Sequence, residues 1–172
     1  FFKCSWKDPA VDRGLSSGLA KACEWAQRWG TNLVSGFAFE RDDPDSDRVP
    51  APVIDTLGRM AAVTQRCGCT LLLENEAVCW GATGTEAAAL IRRVGSDNLS
   101  LLWDPGNSAM AGAESPYPGE YAGLKDHVSH VHLKNCRNKK WALIDDGPID
   151  WPGQLAALAA DNYAVSYTHL RA

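Results

Sequence analysis

Four short and almost uninterrupted apolar runs recur along this chain, each separated from the next by a stretch of helical periodicity. The runs are Leu33-Val34-Ser35-Gly36-Phe37, Thr70-Leu71-Leu72-Leu73, Leu99-Ser100-Leu101-Leu102-Trp103 and His127 to Leu133. Runs of this length without polar alternation belong to strands buried on both faces, and such strands occur in parallel sheets covered by helices.

The intervening segments carry matching helix signals. Asp8-Pro9 opens one that repeats at Leu15, Leu19, Cys23, Ala26 and Trp29 and stops at Gly30. A polar loop from Glu40 to Asp47 leads to Pro50 and Pro52, then Val53, Leu57, Met60, Ala61 and Thr64 form a second apolar face closed by Gly68. Thr85 to Val94 with Gly95 as its stop is a third, Tyr117 to Lys125 a fourth, and Asp150-Trp151-Pro152 opens the last, which runs through Ala160.

Single helices between buried strands define an α/β protein, either a doubly wound open sheet or a (β/α)8 barrel. An open sheet of that kind ordinarily shows an early Gly-rich phosphate loop, and none exists here, so the barrel is expected. A whole barrel takes ~250 residues. At 172 residues the chain is expected to hold the C-terminal part of a TIM barrel with the earliest strands missing, leaving sheet edges exposed to association and a homo-oligomer open.

In a barrel the chemistry comes from the C-terminal ends of several strands, and three of these strands end in metal-ligand residue types. Leu73 runs into Glu74-Asn75-Glu76, Trp103 into Asp104-Pro105-Gly106-Asn107, and Val131 into His132-Leu133-Lys134. Side chains two apart share a strand face, which sets Leu72 with Glu74, Leu102 with Asp104, and His130 with His132 and Lys134, while Val131 and Leu133 turn to the helices. A lone strand-end carboxylate usually caps a loop, and a lone strand His is usually a satisfied core residue. Two carboxylates and an imidazole converging at a barrel mouth instead call for a cation, and oxygen and nitrogen donors without thiolate suit Mn²⁺, Mg²⁺, Co²⁺ or Zn²⁺. His130 lies deeper, where it packs or orients His132.

Charge and cysteine usage narrow the partners. A net charge of -4 with basic residues scattered singly, apart from Arg92-Arg93 and Lys139-Lys140, offers no surface for nucleic acid. No apolar run reaches the ~18 residues of a membrane span, so a cytoplasmic protein without a membrane partner is expected. The six cysteines show no zinc or thioredoxin-like spacing and read as small buried hydrophobes.

At the strand ends the sequence resembles the xylose isomerase-like TIM-barrel superfamily, which includes ketose 3-epimerases, hydroxypyruvate isomerase, inosose dehydratase and endonuclease IV. The segments 71–76, 101–107 and 130–135 follow the family's order. Phe37-Ala38-Phe39-Glu40-Arg41 is similar to its aromatic-rich mouth loop, and Gly147-Pro148-Ile149-Asp150-Trp151 to its turn into the last helix. The resemblance covers a domain of residues 1–164. It implies a divalent cation held by Glu74, Asp104 and His132 with a fourth carboxylate from the last strand, a catalytic Glu74, and substrate contacts from Asn107, Lys134 and Glu76. The activity implied is isomerisation or epimerisation of a sugar or sugar phosphate by proton transfer next to a carbonyl, with dehydration of a cyclitol or keto sugar as the alternative. Abasic-site DNA cleavage would need more histidines than the four present and a basic surface; a non-catalytic relic is the remaining reading.

Two departures from the family stand out. Where its last strand ends in Glu, residues 165–172 contain no carboxylate and are expected to be a non-native tail that forms no strand. Where the family usually has an acidic residue, this chain has Asn135. Trp80, Trp103 and Phe39 are aromatic faces for a sugar ring or packing residues, and buried aromatics more often pack.

Overall fold

The computed structural model describes residues 1–43, 46, 48–164 and 167–169, the last three by their backbone. The first helical stretch is α1 (Ala10–Arg13), a widened π turn at Gly14–Gly18, and α2 (Leu19–Arg28). There follow β1 (Leu33–Gly36), α3 (Ala51–Arg66), β2 (Thr70–Glu74), α4 (Gly84–Val94), β3 (Leu99–Trp103), α5 (Pro105–Ala111), α6 (Tyr121–Leu124) and β4 (Val128–Leu133). A short antiparallel hairpin, β5 (Asn135–Arg137) and β6 (Lys140–Ala142), precedes α7 (Trp151–Ala160) and β7 (Tyr167–His169).

Strands β1, β2, β3, β4 and β7 pair in that order, every neighbour parallel. Spatial order equal to chain order, without the reversal of a doubly wound sheet, is that of consecutive barrel strands. The chain is therefore part of a TIM barrel. Alternation separates the two faces as expected. Leu71, Leu73, Leu101, Trp103, Val131 and Leu133 join the core beneath the helices, together with Leu57, Met60, Leu90 and Leu124. Leu72, Leu102, His130 and His132 lie on the other face, where they line a depression of about 220 Å³ with Thr31, Leu33 and Ser35.

Local chemistry closes the elements. Thr83 accepts the Glu86 N–H, and the Glu86 carboxylate reaches back to the N–H of Ala82, so a reciprocal cap starts α4. Gly95, at φ +64°, ends it in a left-handed conformation. The Asn98 amide reaches Ala61 O, Thr64 Oγ1 and Cys69 O, tying the end of α3 to the start of the sheet. Cys23, Cys69, Cys79 and Cys136 are buried, and all six cysteines are free thiols.

Two expectations need correction. The segment Tyr117 to Lys125 is not one helix: Tyr117 is extended (φ -125°, ψ 133°), and regular α geometry holds only for Tyr121–Leu124. Pro116 and Pro118 supply no N–H to a first turn. Trp80, Trp103 and Phe39, by contrast, are at most 3% exposed and pack, as buried aromatics more often do. Within the tail, Tyr167–His169 pairs with Val131–Leu133, because the open side of β4 carries unpaired N–H and C=O groups that accept any strand reaching them. The rest of that tail, residues 165, 166 and 170–172, lies outside the described residues.

Helix α4 approaches the sheet through Gly84, where a Cβ would collide with the Trp103 ring and Leu124. Gly84→Ala should cost about 1–3 kcal/mol in urea unfolding by overpacking. Gly123→Ala, which meets nothing within 4 Å, should be neutral or slightly stabilising. Equal stabilities of the two variants would contradict the close packing.

Candidate metal centre

Three strand ends converge at one rim of the sheet. Glu74 closes β2, Asp104 follows β3, and His132 lies near the end of β4. One ligand atom from each lies within 4.8 Å of the others. His132 Nδ1 is 3.1 Å from Glu74 Oε1 and 3.6 Å from Asp104 Oδ2. Asp104 is fully buried and Glu74 nearly so.

Asp104 divides its two oxygens between structure and site. Oδ1 accepts the Asn107 N–H at 2.8 Å and caps α5, with Pro105 as the first helical residue. Oδ2 faces His132 Nδ1 and, at 3.5 Å, the ammonium of Lys134. Glu74 takes its hydrogen bonds on Oε1, from His132 and at 3.4 Å from the Asn107 amide. Among the described residues nothing donates to Glu74 Oε2.

Burial disfavours a charged His132, yet hydrogen bonds to Asp104 and Glu74 and the charges of both outweigh it and push its pKa up to about 9. His130 moves the other way: burial, then the neighbouring His132, lower its pKa. The two rings meet edge to face at 5.8 Å, and His130 is not part of the three-residue cluster.

Asn107 is fully buried and central, donating to Asn75 O at 2.8 Å and accepting from Lys134 Nζ at 2.9 Å. Lys134 reaches the rim of the cluster. Glu76 does not: its carboxylate pairs with Lys3 at 3.0 Å and is not a member of the cluster. Asn135 is buried and donates to Ile144 O at 2.9 Å, holding the return of the β5–β6 hairpin.

Sequence reasoning missed two residues. Asn75, wholly buried, accepts the Asp104 N–H and donates to Asp104 O, both at 2.8 Å, so one amide fixes the backbone of a cluster member. A polar residue wedged between two acids at a strand end was the available signal. Trp141, on β6, lies over the Lys134 ammonium at 3.8 Å from the ring centroid, and no sequence period marks so short a hairpin.

The cluster fits a hard or borderline divalent cation. Its donors are two carboxylates and an imidazole, and their negative charge is buried.

A sequence model described as the xylose isomerase-like TIM barrel matches residues 5–168. No curated protein matches the chain at a significant level. Among solved structures, the chain is similar to a probable 3-DHS dehydratase, AsbF, from Bacillus anthracis: TM-score 0.79, 14% identity, covering 98% of this chain and 66% of that one. It is also similar to a xylose isomerase-like TIM barrel protein from Mycobacterium smegmatis in complex with magnesium, at TM-score 0.75 and 18% identity, covering 97% and 63%. A D-allulose 3-epimerase from Methylomonas sp. gives TM-score 0.75 and 21% identity, covering 95% and 58%. The chain thus spans less than two thirds of the length of these structures.

The raised pKa of His132 couples this site to stability. A folded value above the ordinary 6.5 adds stability that is complete below about pH 6.5 and lost as pH rises through about 9. In metal-free protein, urea unfolding between pH 6 and 9.5 should show a loss on the order of 2 kcal/mol that His132→Gln removes. Identical slopes in both proteins would rule out this coupling.

Proposed function

We propose, from the premise that the chain belongs to the xylose isomerase-like TIM barrel family, that it serves a divalent-metal-dependent isomerase or epimerase acting on a sugar or sugar phosphate. The observation that carries this reading is the buried convergence of Glu74, Asp104 and His132 within 4.8 Å, of which His132 also lines the depression of about 220 Å³ on the inner face of the strands.

Glu74, Asp104 and His132 would hold the cation, with Mn²⁺, Mg²⁺, Co²⁺ or Zn²⁺ compatible with the donors. When bound there, a divalent cation supplies Lewis acidity that polarises a ketose carbonyl and its neighbouring hydroxyl. The chain's own groups do the rest. Asn107 orients Glu74 through Oε1, which leaves Oε2 to take the proton from the carbon between the two oxygens. As that C–H bond breaks, its electron pair moves toward the carbonyl oxygen, and return of the proton completes the exchange. Lys134 and Asn107 stand next to this point and are the proposed contacts to substrate oxygens. Glu76, neutralised by Lys3, is left a role at the rim at most.

An epimerase needs a second base on the opposite face of the same carbon, and residues 162–172 contain no carboxylate. This chain is therefore expected to be nearly inactive in turnover, with any exchange of a substrate proton confined to one face and no inversion of the carbon. The test is proton NMR of ketopentoses and ketohexoses in deuterated water with Mn²⁺. Deuterium should enter at a carbon that keeps its hydroxyl, and Glu74→Gln should slow this by about 10²–10⁴-fold. Loss of water in place of exchange would move the reading to a dehydratase of cyclitols or keto sugars, and exchange that survives Glu74→Gln would remove Glu74 from the chemistry.

A further inference from the structure

We infer that Lys134 is a built-in counter-cation of the buried acid pair, and that Trp141, whose ring already touches the ammonium, holds it beside the site when a divalent cation takes over that charge. The inference rests on the metal reading above and concerns two residues that the reading does not assign to the cation.

Lys134 leaves β4 two residues beyond His132 and so projects to the same face. Its stem is fixed: a Cβ at Gly106 would stand 3.0 Å from Lys134 Cβ and 3.1 Å from its Cγ, so the first turn of α5 lies flush against it. Only the ammonium end is free to choose a partner. That end has two kinds of neighbour within reach. On one side are Asn107 Oδ1 at 2.9 Å and Asp104 Oδ2 at 3.5 Å. On the other is the Trp141 ring, with its centroid at 3.8 Å.

Asp104 has no exposure to water, so its charge needs a nearby cation, and Lys134 supplies one. A divalent ion bound by the same carboxylate reverses the sign of the local field for the ammonium. Repulsion between a double and a single charge at such range amounts to tenfold or more in affinity, even at a high effective dielectric. The indole face attracts a cation without carrying a formal charge, and does not compete with the acids for the metal.

Trp141 is suited to stay in place while the ammonium moves. It pairs with Cys136 across the β5–β6 ladder, and Asn138 and Lys139 in the intervening turn have φ of 53° and 56°, the geometry of tight hairpins. Asn135 anchors the hairpin base to Ile144. Trp141 is 41% exposed, so the ammonium against its ring stays in reach of water when it gives up Asp104. Trp141 is thus a positioning residue that acts through Lys134.

An ordinary ion pair predicts the opposite sign from a counter-cation. Loss of a merely structural Lys134 would loosen Asp104 and weaken metal binding, whereas loss of a competing charge strengthens it. The test is calorimetric titration of the full chain with Mn²⁺ alone, at one fixed pH. Lys134→Met should tighten Mn²⁺ binding by about tenfold. Trp141→Leu should weaken it roughly threefold, since the ammonium loses its alternative seat. In the double variant the Trp141 effect should vanish, leaving the affinity of Lys134→Met. Unchanged or weaker binding by Lys134→Met, or a Trp141→Leu effect that persists in the double variant, overturns the inference and leaves the metal reading standing. If Lys134→Met does not fold, Trp141→Leu decides alone, with unchanged affinity counting against. Absence of Mn²⁺ binding to the unaltered chain overturns both.

Discussion

Two carboxylates held next to each other out of water are the constraint that the rest of this structure answers. Taking each out of solvent costs several kcal/mol, and their mutual repulsion adds to it unless positive charge and donors are close by. Glu74 and Asp104 meet this through His132, whose ring lies against both, through Lys134, and through the amide of Asn107. The raised pKa of His132 is the same electrostatics seen from the partner's side. A site that holds a proton and an ammonium so firmly holds a place for a more concentrated positive charge.

The parallel sheet makes such a gathering affordable by keeping the expensive groups off its packed face. Side chains on the outer face, from Leu71 to Leu133, build a continuous apolar core with the helices. The alternate positions are spared from that core, and their last members, at the C-terminal ends of adjacent strands, become near neighbours. In register, Glu74 stands beside Leu102 and Leu102 beside His130. Asp104 and His132 each lie one step of two residues further along. Helix α5 then begins at Asp104 itself, so that one carboxylate both caps a helix and faces the cluster.

What was legible in the sequence followed from periods. The strands, the long helices and the triplet Glu74, Asp104 and His132 all express a repeat of two or of 3.6 residues, or the end of one. The hairpin β5–β6 spans too few residues to show a period, and Trp141 was invisible with it. Helix α5 hid because Pro105-Gly106-Asn107 reads as a turn; only the capping carboxylate converts it into a helix start. Asn75 escaped for a different reason. Its task is to hold the backbone of Asp104, a contact between distant parts of the chain that no local pattern announces. The aromatic residues Phe39, Trp80 and Trp103 were ambiguous until burial assigned them to packing.

Glu74 and Glu76 show how little separates a site residue from a rim residue. They stand two apart in the sequence, carry the same carboxylate, and both looked fit for the site. The strand ends between them. Glu74 is the last residue of β2 and keeps the strand's direction into the cluster, whereas Glu76 lies in the turn, where its N–H bonds Gly81 O and its carboxylate meets Lys3. The Lys3 ammonium is about half exposed (46%), and a pair of that kind contributes about 0–1 kcal/mol. It binds Glu76 loosely, but it is enough to satisfy a carboxylate that remains close to water. Glu74 has no such outlet. With its neighbours buried and its strand fixed on both sides by β1 and β3, its charge is answered inside the site or not at all.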